Sequence, residues 1–282
     1  MIKSFLGVVM KIIKRTKYYV GIFLLYMKMG IQMILEYPAM IMGWLLSNPI
    51  QFIVGFATIK FVVAEFGDIN GWDYGQLAFL YGLSVISHAL SMIFFVQGWF
   101  MGWFVIEGDF DRYLTRPLSV PFQFFFTNIN VFGVTDLVPG IIVFIYGCIK
   151  TQFRFSIINI LLIIVMLTGA TLIRGGIYIL LGTTSFWTKS TTDFGPFCQE
   201  IFDRTTMYPL SMYPESLQFI LTYVIPIGWV SFYPTSSILD MNDKVMSGIG
   251  ASLITLLVGI VVILVSIGVF SIGLKKYESA GN

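Results

Sequence analysis

Three ionisable residues stand inside long apolar runs, where charge is costly: His88, Asp136 and Arg174. A charge at the centre of a bilayer costs roughly 2.5–3.5 kcal/mol on insertion scales, so such a group is read first as functional. Asp136 and Arg174 lie on consecutive runs, at depths about one to two helical turns apart. The expected arrangement is a structural ion pair locking those runs together. Contact with a transported molecule, or a place for Arg174 nearer the headgroups, are the alternatives. His88 could relay protons, but no acid stands near it in sequence, which favours a packed polar group. Cys148 and Cys198 lie far apart with no metal-ligand spacing. They read as inert thiols, and no metal site is expected.

A different chemistry is concentrated in Val105-Ile-Glu-Gly-Asp-Phe-Asp-Arg-Tyr-Leu-Thr-Arg-Pro-Leu-Ser119. Of the chain's 15 acidic and 17 basic residues, Glu107, Asp109, Asp111, Arg112 and Arg116 all fall in this one stretch. Read as a short helix, it has Asp109 as N-cap. Asp109 and Asp111 are at the positive end of the helix dipole, Arg112 and Arg116 towards the negative end. Phe110, Tyr113 and Leu114 share a face at i, i+3 and i+4, and Pro117 stops the helix. An apolar face on a charged segment outside the membrane suits a groove on a soluble partner. An ordinary charged loop is the plainer alternative. A third group is aromatic and proline-rich: Pro226, Trp229, Phe232 and Tyr233, near Met207-Tyr-Pro-Leu-Ser-Met-Tyr-Pro214. Broken helices line pathways in transporters, so these four are candidate gate or exit residues.

The elements that position these groups belong in lipid. Only 11% of the 282 residues are charged, against about 25% in soluble domains, and mean hydropathy is +0.85. A net charge of +2 argues against nucleic acid as a partner. The hydropathy pattern predicts an all-α, polytopic membrane protein with a single transmembrane domain over 1–282. Its six spans fall at about 39–63, 77–103, 124–147, 157–181, 216–232 and 249–274. The fifth, which holds Pro226, reads as a clean crossing, a broken helix or a re-entrant segment. The others exceed the roughly 20 residues needed to cross about 30 Å of hydrocarbon. Pro49 predicts a kink in the first span, and Gly98 with Gly102 forms a weak small-residue packing motif in the second.

Before the first span, residues 1–37 carry Lys14, Lys17, Lys28, Gln32 and Glu36 near one stripe, with Ile22, Phe23, Tyr26, Ile31 and Leu35 elsewhere. Such a helix lies in the headgroup plane more readily than it crosses. A span over 18–35 would bury Lys28. The short apolar run after Lys3, broken by Lys11, does not read as a secretory signal. Residues 183–213 read as cytoplasmic or interfacial. Basic residues set the orientation. Lys3, Lys11, Lys14, Arg15, Lys17, Lys28, Arg112, Arg116, Lys189, Arg204, Lys275 and Lys276 fall on one side, against Lys60, Lys150, Arg154 and Lys244 on the other. Both termini and the segment 105–119 are therefore expected in the cytoplasm.

The run from Glu107 to Ser119 resembles the "G-x-hydrophobic-Asp-x-x-Leu-x-(Arg/Lys)-Pro-Leu" signature of type-2 ABC exporter permeases. It is closest to the branch that includes viologen- and daunorubicin-type export permeases. Ser185-Phe-Trp-Thr188, Tyr208-Pro-Leu-Ser-Met-Tyr-Pro214 and Ile225-Pro-Ile-Gly-Trp-Val-Ser-Phe-Tyr-Pro-Thr235 agree with it, so the resemblance covers essentially the whole chain. It implies the type-2 permease fold in a bacterial cytoplasmic membrane. It also implies that residues 107–117, including Gly108, form a coupling helix docked on a separate ATPase subunit. That ATPase, not this chain, would bind ATP and Mg, and a second permease subunit, the same or a sister chain, would complete the pair. No G-x-x-x-x-G-K-[ST] loop occurs here, so ATP hydrolysis by this chain is not expected. A stand-alone secondary transporter or channel is the competing reading. A membrane-embedded enzyme is disfavoured by the single histidine.

Overall fold

The computed structural model describes residues 2–127, 129–189, 194–241 and 245–279. Among these, the chain is helical apart from one isolated bridge between Ile69 and Trp72. The long helices are α1 (Ile2–Glu36), α2 (Pro38–Phe66), α3 (Tyr74–Trp99), α7 (Val134–Lys150), α8 (Ile157–Thr183) and α13 (Gly248–Leu274). Between α3 and α7 lie α4 (Met101–Ile106), α5 (Asp111–Leu114) and α6 (Val120–Thr127). Between α8 and α13 lie α9 (Ser185–Thr188), α10 (Phe194–Thr206), α11 (Glu215–Phe219) and α12 (Phe232–Ile238). Five helical segments are long and apolar enough to cross a membrane, and a bent pair, 215–224 with 227–238, would make a sixth if it were one span. α1 is not among them. It runs beside α6 instead, with Tyr19 edge-on to Phe122 and Phe23 edge-on to Phe126.

α3 is the axis of the bundle. It starts with a capping box in which Asp73 accepts from the Gln76 amide and the Gln76 side chain accepts from the Asp73 amide, satisfying two donors that a helix start leaves open. α7 runs antiparallel to it: Gly75 lies against Lys150, and Gly133 lies against Ile93. α8 and α13 run parallel to α3, and here glycines set the spacing. A Cβ on Gly169 would stand 2.5 Å from the Thr255 carbonyl oxygen, and one on Gly98 would stand 2.9 Å from the Ile179 nitrogen. Without a hydrophobic force between helices in lipid, such close backbone approach supplies the packing energy. The small-residue motif read in the second span is thus a contact at Gly98.

Two expected spans differ. The third is interrupted: α6 ends at Thr127, Asn130 donates to the Ile93 carbonyl (3.1 Å), and α7 begins at Val134. The fifth is not at 216–232. Lys189 is tied to Glu278 beyond the end of α13, at the end of the bundle that carries α4 and α5. By Ser211 the chain has reached the opposite end, where the Ser211 carbonyl accepts from Asn70 in the α2–α3 loop (2.8 Å). The crossing between them is α10, whose 13 residues rise about 20 Å. Cys198 and Phe202 of α10 are buried, and Thr206 meets Ser84 of α3 at 2.7 Å. Residues 198–206 therefore lie inside the bundle rather than in the aqueous stretch expected for 183–213. Glu200, Gln199, Asp203 and Arg204 hide this crossing from a hydropathy scan.

The bent pair is then a re-entrant segment at the far end, the helix axis turning by 76° at the break. Phe232 packs on Trp72 of the α2–α3 loop, and Gly248 at the start of α13 lies beside Ile238. Its two parts begin and end on the same side.

Candidate functional sites: a docking segment and a polar cavity

The segment 105–119 is held by its own sequence. α4 ends in a Schellman turn: Gly108 takes φ +75°, and the Asp109 amide reaches back to the Phe104 carbonyl (3.1 Å). One turn of helix, α5, follows, with Phe110 rather than Asp109 at its N-cap and no capping side chain. The expected outward face is turned the other way. Phe110 and Tyr113 are fully buried, and of the three only Leu114 is exposed, at 51%. Phe110 is the hub of an aromatic cluster, with ring centroids 4.8 Å from Phe124 of α6, 5.2 Å from Phe186 of α9, 5.6 Å from Tyr277 and 6.0 Å from Phe270 of α13. A single helical turn buries too little to stand alone, so its largest rings serve its own anchorage.

Gln123, a polar residue in the run Val120-Pro-Phe-Gln-Phe-Phe-Phe, donates to the carbonyls of Tyr113 and Leu118 (3.1 and 2.9 Å) and closes the segment onto α6. Ser279 donates to Asp111 (2.5 Å), and Lys189 pairs with Glu278 (2.6 Å), so the chain's tail clamps the same cluster. Burial, then the Asp111 and Asp109 carboxylates, push the Tyr277 phenol up to about 12, so it stays protonated. Hydrogen bonds from Arg15 and then Ser119 lower Tyr19, which brings α1 against the segment's end. Sequence reasoning missed Gln123 and the tail; an amide isolated among phenylalanines was the available signal. What the segment presents outward is Glu107, Arg112, Leu114, Arg116 and Pro117, with Gly108, Asp109 and Asp111 half-buried. Arg112 lies over the Tyr113 ring (4.9 Å) and 3.7 Å from Asp109.

The second site is a cavity of about 770 Å³ between α1, α2, α3, α7 and α10. His88, Asp136, Asn48, Gln51, Gln97, Asn130 and Gln199 supply its polar wall, and Trp44, Phe52, Met92, Trp99 and Phe132 its apolar one. Asp136 accepts from Asn48 of α2 at 2.8 Å, and its other oxygen stands 3.9 Å from His88 Nε2. An acid does face His88, but from another helix.

The expected Asp136–Arg174 pair does not form. α7 and α8 reach α3 from different sides, so Asp136 arrives beside His88 while Arg174 arrives beside Ser84 and Ser87. Arg174 is fully buried; its Nε donates to Ser87 (3.1 Å) and Nη2 to Ser84 (2.6 Å) and Thr206 (3.5 Å). Its guanidinium lies 4.3 Å from the Phe202 ring and interacts electrostatically with Asp203 of α10. Arg174 therefore fastens the polar crossing helix to α3. Pro226, Trp229, Phe232 and Tyr233 do not line the cavity. They build the far-end re-entrant segment, where Trp229 stacks near Tyr233 (4.6 Å) and Tyr233 meets the Thr222 hydroxyl at 2.8 Å.

No group of three or more metal-ligating side chains occurs among the described residues. No curated protein and no solved structure matches the chain significantly. A family model described as "ABC-2 family transporter protein" matches residues 46–281, well over half of the chain, including the segment 105–119, α10 and the re-entrant segment. The helical bundle and this match agree, and the chain belongs to the ABC-2 transporter family as a multi-pass membrane subunit.

Proposed function

We propose that this permease exports an amphipathic or hydrophobic molecule, of drug, peptide or lipid type, across a bacterial cytoplasmic membrane, driven by ATP hydrolysed in a separate subunit. In this reading both termini and residues 105–119 are cytoplasmic, the branch is that of the viologen- and daunorubicin-type permeases, and a second permease, identical or a sister, completes the pair. ATP and Mg belong to the ATPase partner. The observation that carries the reading is the two-sided segment. Its inner side, Phe110 and Tyr113, is packed into the ends of α6, α9 and α13, while its outer side offers Glu107, Leu114 and Arg116. A push on the outer side is thereby passed to α8 and α13, because α9 continues from α8 and Gly273 of α13 lies against Phe186.

The test is co-purification with the ATPase and its stimulated activity. Leu114→Asp combined with Arg116→Glu is expected to abolish both while leaving the permease's melting temperature unchanged. Retention of the complex would reject the docking assignment. Phe110→Ala behaves differently, since loss of a buried phenylalanine costs about 3–5 kcal/mol and lowers the melting temperature itself.

One observation favours a second reading. An imidazole 3.9 Å from a carboxylate inside the bundle is what a proton-coupled carrier would use. Transport by the chain alone, driven by a proton gradient without ATPase, would select it.

A further inference from the structure

We propose that the cavity binds the protonated primary amine of a lipophilic molecule, with Asp136 as its counter-ion. The proposal deepens the export reading by naming a substrate class, and it rests on that reading only for the fate of the bound molecule. Charge balance is the first argument. Asp136 and Arg174 are buried in the bundle, and Asp203 is half-buried beside Gln51. Arg174 donates to Ser84, Ser87 and Thr206 and forms no ion pair with Asp136 among the described residues, so no cationic side chain is paired with Asp136. Among the described residues, no Lys or Arg lines the cavity.

Unused acceptor capacity is the second argument. Asp136 takes hydrogen bonds from Asn48 and Thr135 through one oxygen, Oδ1, and no hydrogen bond reaches Oδ2. His88 is 4% exposed, lines the cavity, and makes no hydrogen bond among the described residues: Nε2 stands 3.9 Å from Oδ2 and Nδ1 has no partner. An ammonium donating to Asp136 Oδ2 and to His88 Nε2 would occupy both facing acceptor positions, the imidazole proton then residing on Nδ1. Aromatic walls are the third argument. Trp44, Trp99 and Phe52 surround the polar patch, and aromatic faces attract cations as well as covering an apolar body. An anionic head would meet Asp136 and no compensating cation.

The probe is 2-(1-naphthyl)ethylamine, with 2-(1-naphthyl)ethanol and 1-naphthylacetate as neutral and anionic counterparts. Binding is read by equilibrium dialysis against the permease in nanodiscs, less empty nanodiscs. The amine is expected to bind wild-type protein at least about tenfold more tightly than the alcohol, as a charged hydrogen bond predicts, and the carboxylate not at all. Asp136→Asn, close in shape, is expected to erase the preference for the amine while retaining the alcohol's binding. Equal binding of amine and alcohol by the wild type, or an undiminished preference in Asp136→Asn, overturns the proposal without reference to any variant's stability. ATPase co-purification, measured on the same preparations, is independent. An assembled complex without amine preference defeats this inference alone, and amine binding without any ATPase partner defeats the export reading alone.

Discussion

Gly108 shows how one backbone position sets the segment 105–119. At φ +75° it turns the chain out of α4, and the Asp109 amide closes on Phe104, which aims Phe110 inward and leaves Leu114 outside. A side chain there costs roughly 1–2 kcal/mol in the left-handed region, most for a β-branched one. Gly108→Val is expected to lower the melting temperature and sharply reduce ATPase binding, whereas Gly108→Asn, which tolerates this conformation, retains most of it. Equal behaviour of the two variants would show that the turn does not aim the segment. At this scale the sequence was legible in identity and not in direction. The i, i+3, i+4 spacing of Phe110, Tyr113 and Leu114 fixes a shared face only if the helix is long enough to have one. α5 is a single turn, and spacing says nothing about which side of it the bundle occupies. The same limit applies to Asp136 and Arg174: both were recognisable as buried charges, but their partners, Asn48 and His88 for one, Ser84, Ser87 and Thr206 for the other, depend on which face of α3 each helix meets.

Among elements, apolar length made α2, α3, α8 and α13 readable to within about four residues at each end, since lipid rewards little else. α10 was unreadable for the opposite reason. Its polar residues find partners within the protein, Gln51 for Asp203 and Ser84 for Thr206, so it crosses without being apolar. The more hydrophobic 216–232 instead folds back at the far end. This assignment makes a topological prediction. Met212→Cys and Asp240→Cys, both exposed, are expected to react with an impermeant maleimide from the same side of the membrane, and Lys189→Cys from the other. A crossing at 216–232 would put Met212 and Asp240 on opposite sides. Background is low because both native thiols, Cys148 and Cys198, are buried.

For the molecule as a whole, α10 also carries a charged outer face. Glu200 and Arg204 form an exposed pair (2.7 Å) on a helix whose neighbours Ser84 and Arg174 lie well inside α3 and α8. Hydrocarbon does not tolerate such a pair without water or protein to meet it. The opposite side of the bundle is different: Leu253, Leu257, Ile260 and Leu264 of α13 are exposed and purely apolar, a surface made for lipid. The chain is thus asymmetric, with an exposed apolar face on α13 and, on α10, a charged face expected to be wet. ABC-2 permeases work in pairs, and the wet face is the one that needs a second subunit or an aqueous path against it. Cysteine introduced at Glu200 is therefore expected to react with a membrane-impermeant methanethiosulfonate in the unpaired chain at a rate close to that of Met212→Cys. Cysteine at Leu257 or Leu264 should stay unreactive, because thiolates do not form in lipid. Assembly with a second permease should slow the reaction at residue 200 and leave Met212→Cys unchanged. Silence at residue 200 in the unpaired chain would mean that α10 faces lipid after all, and the wet face would have to be sought elsewhere on the bundle.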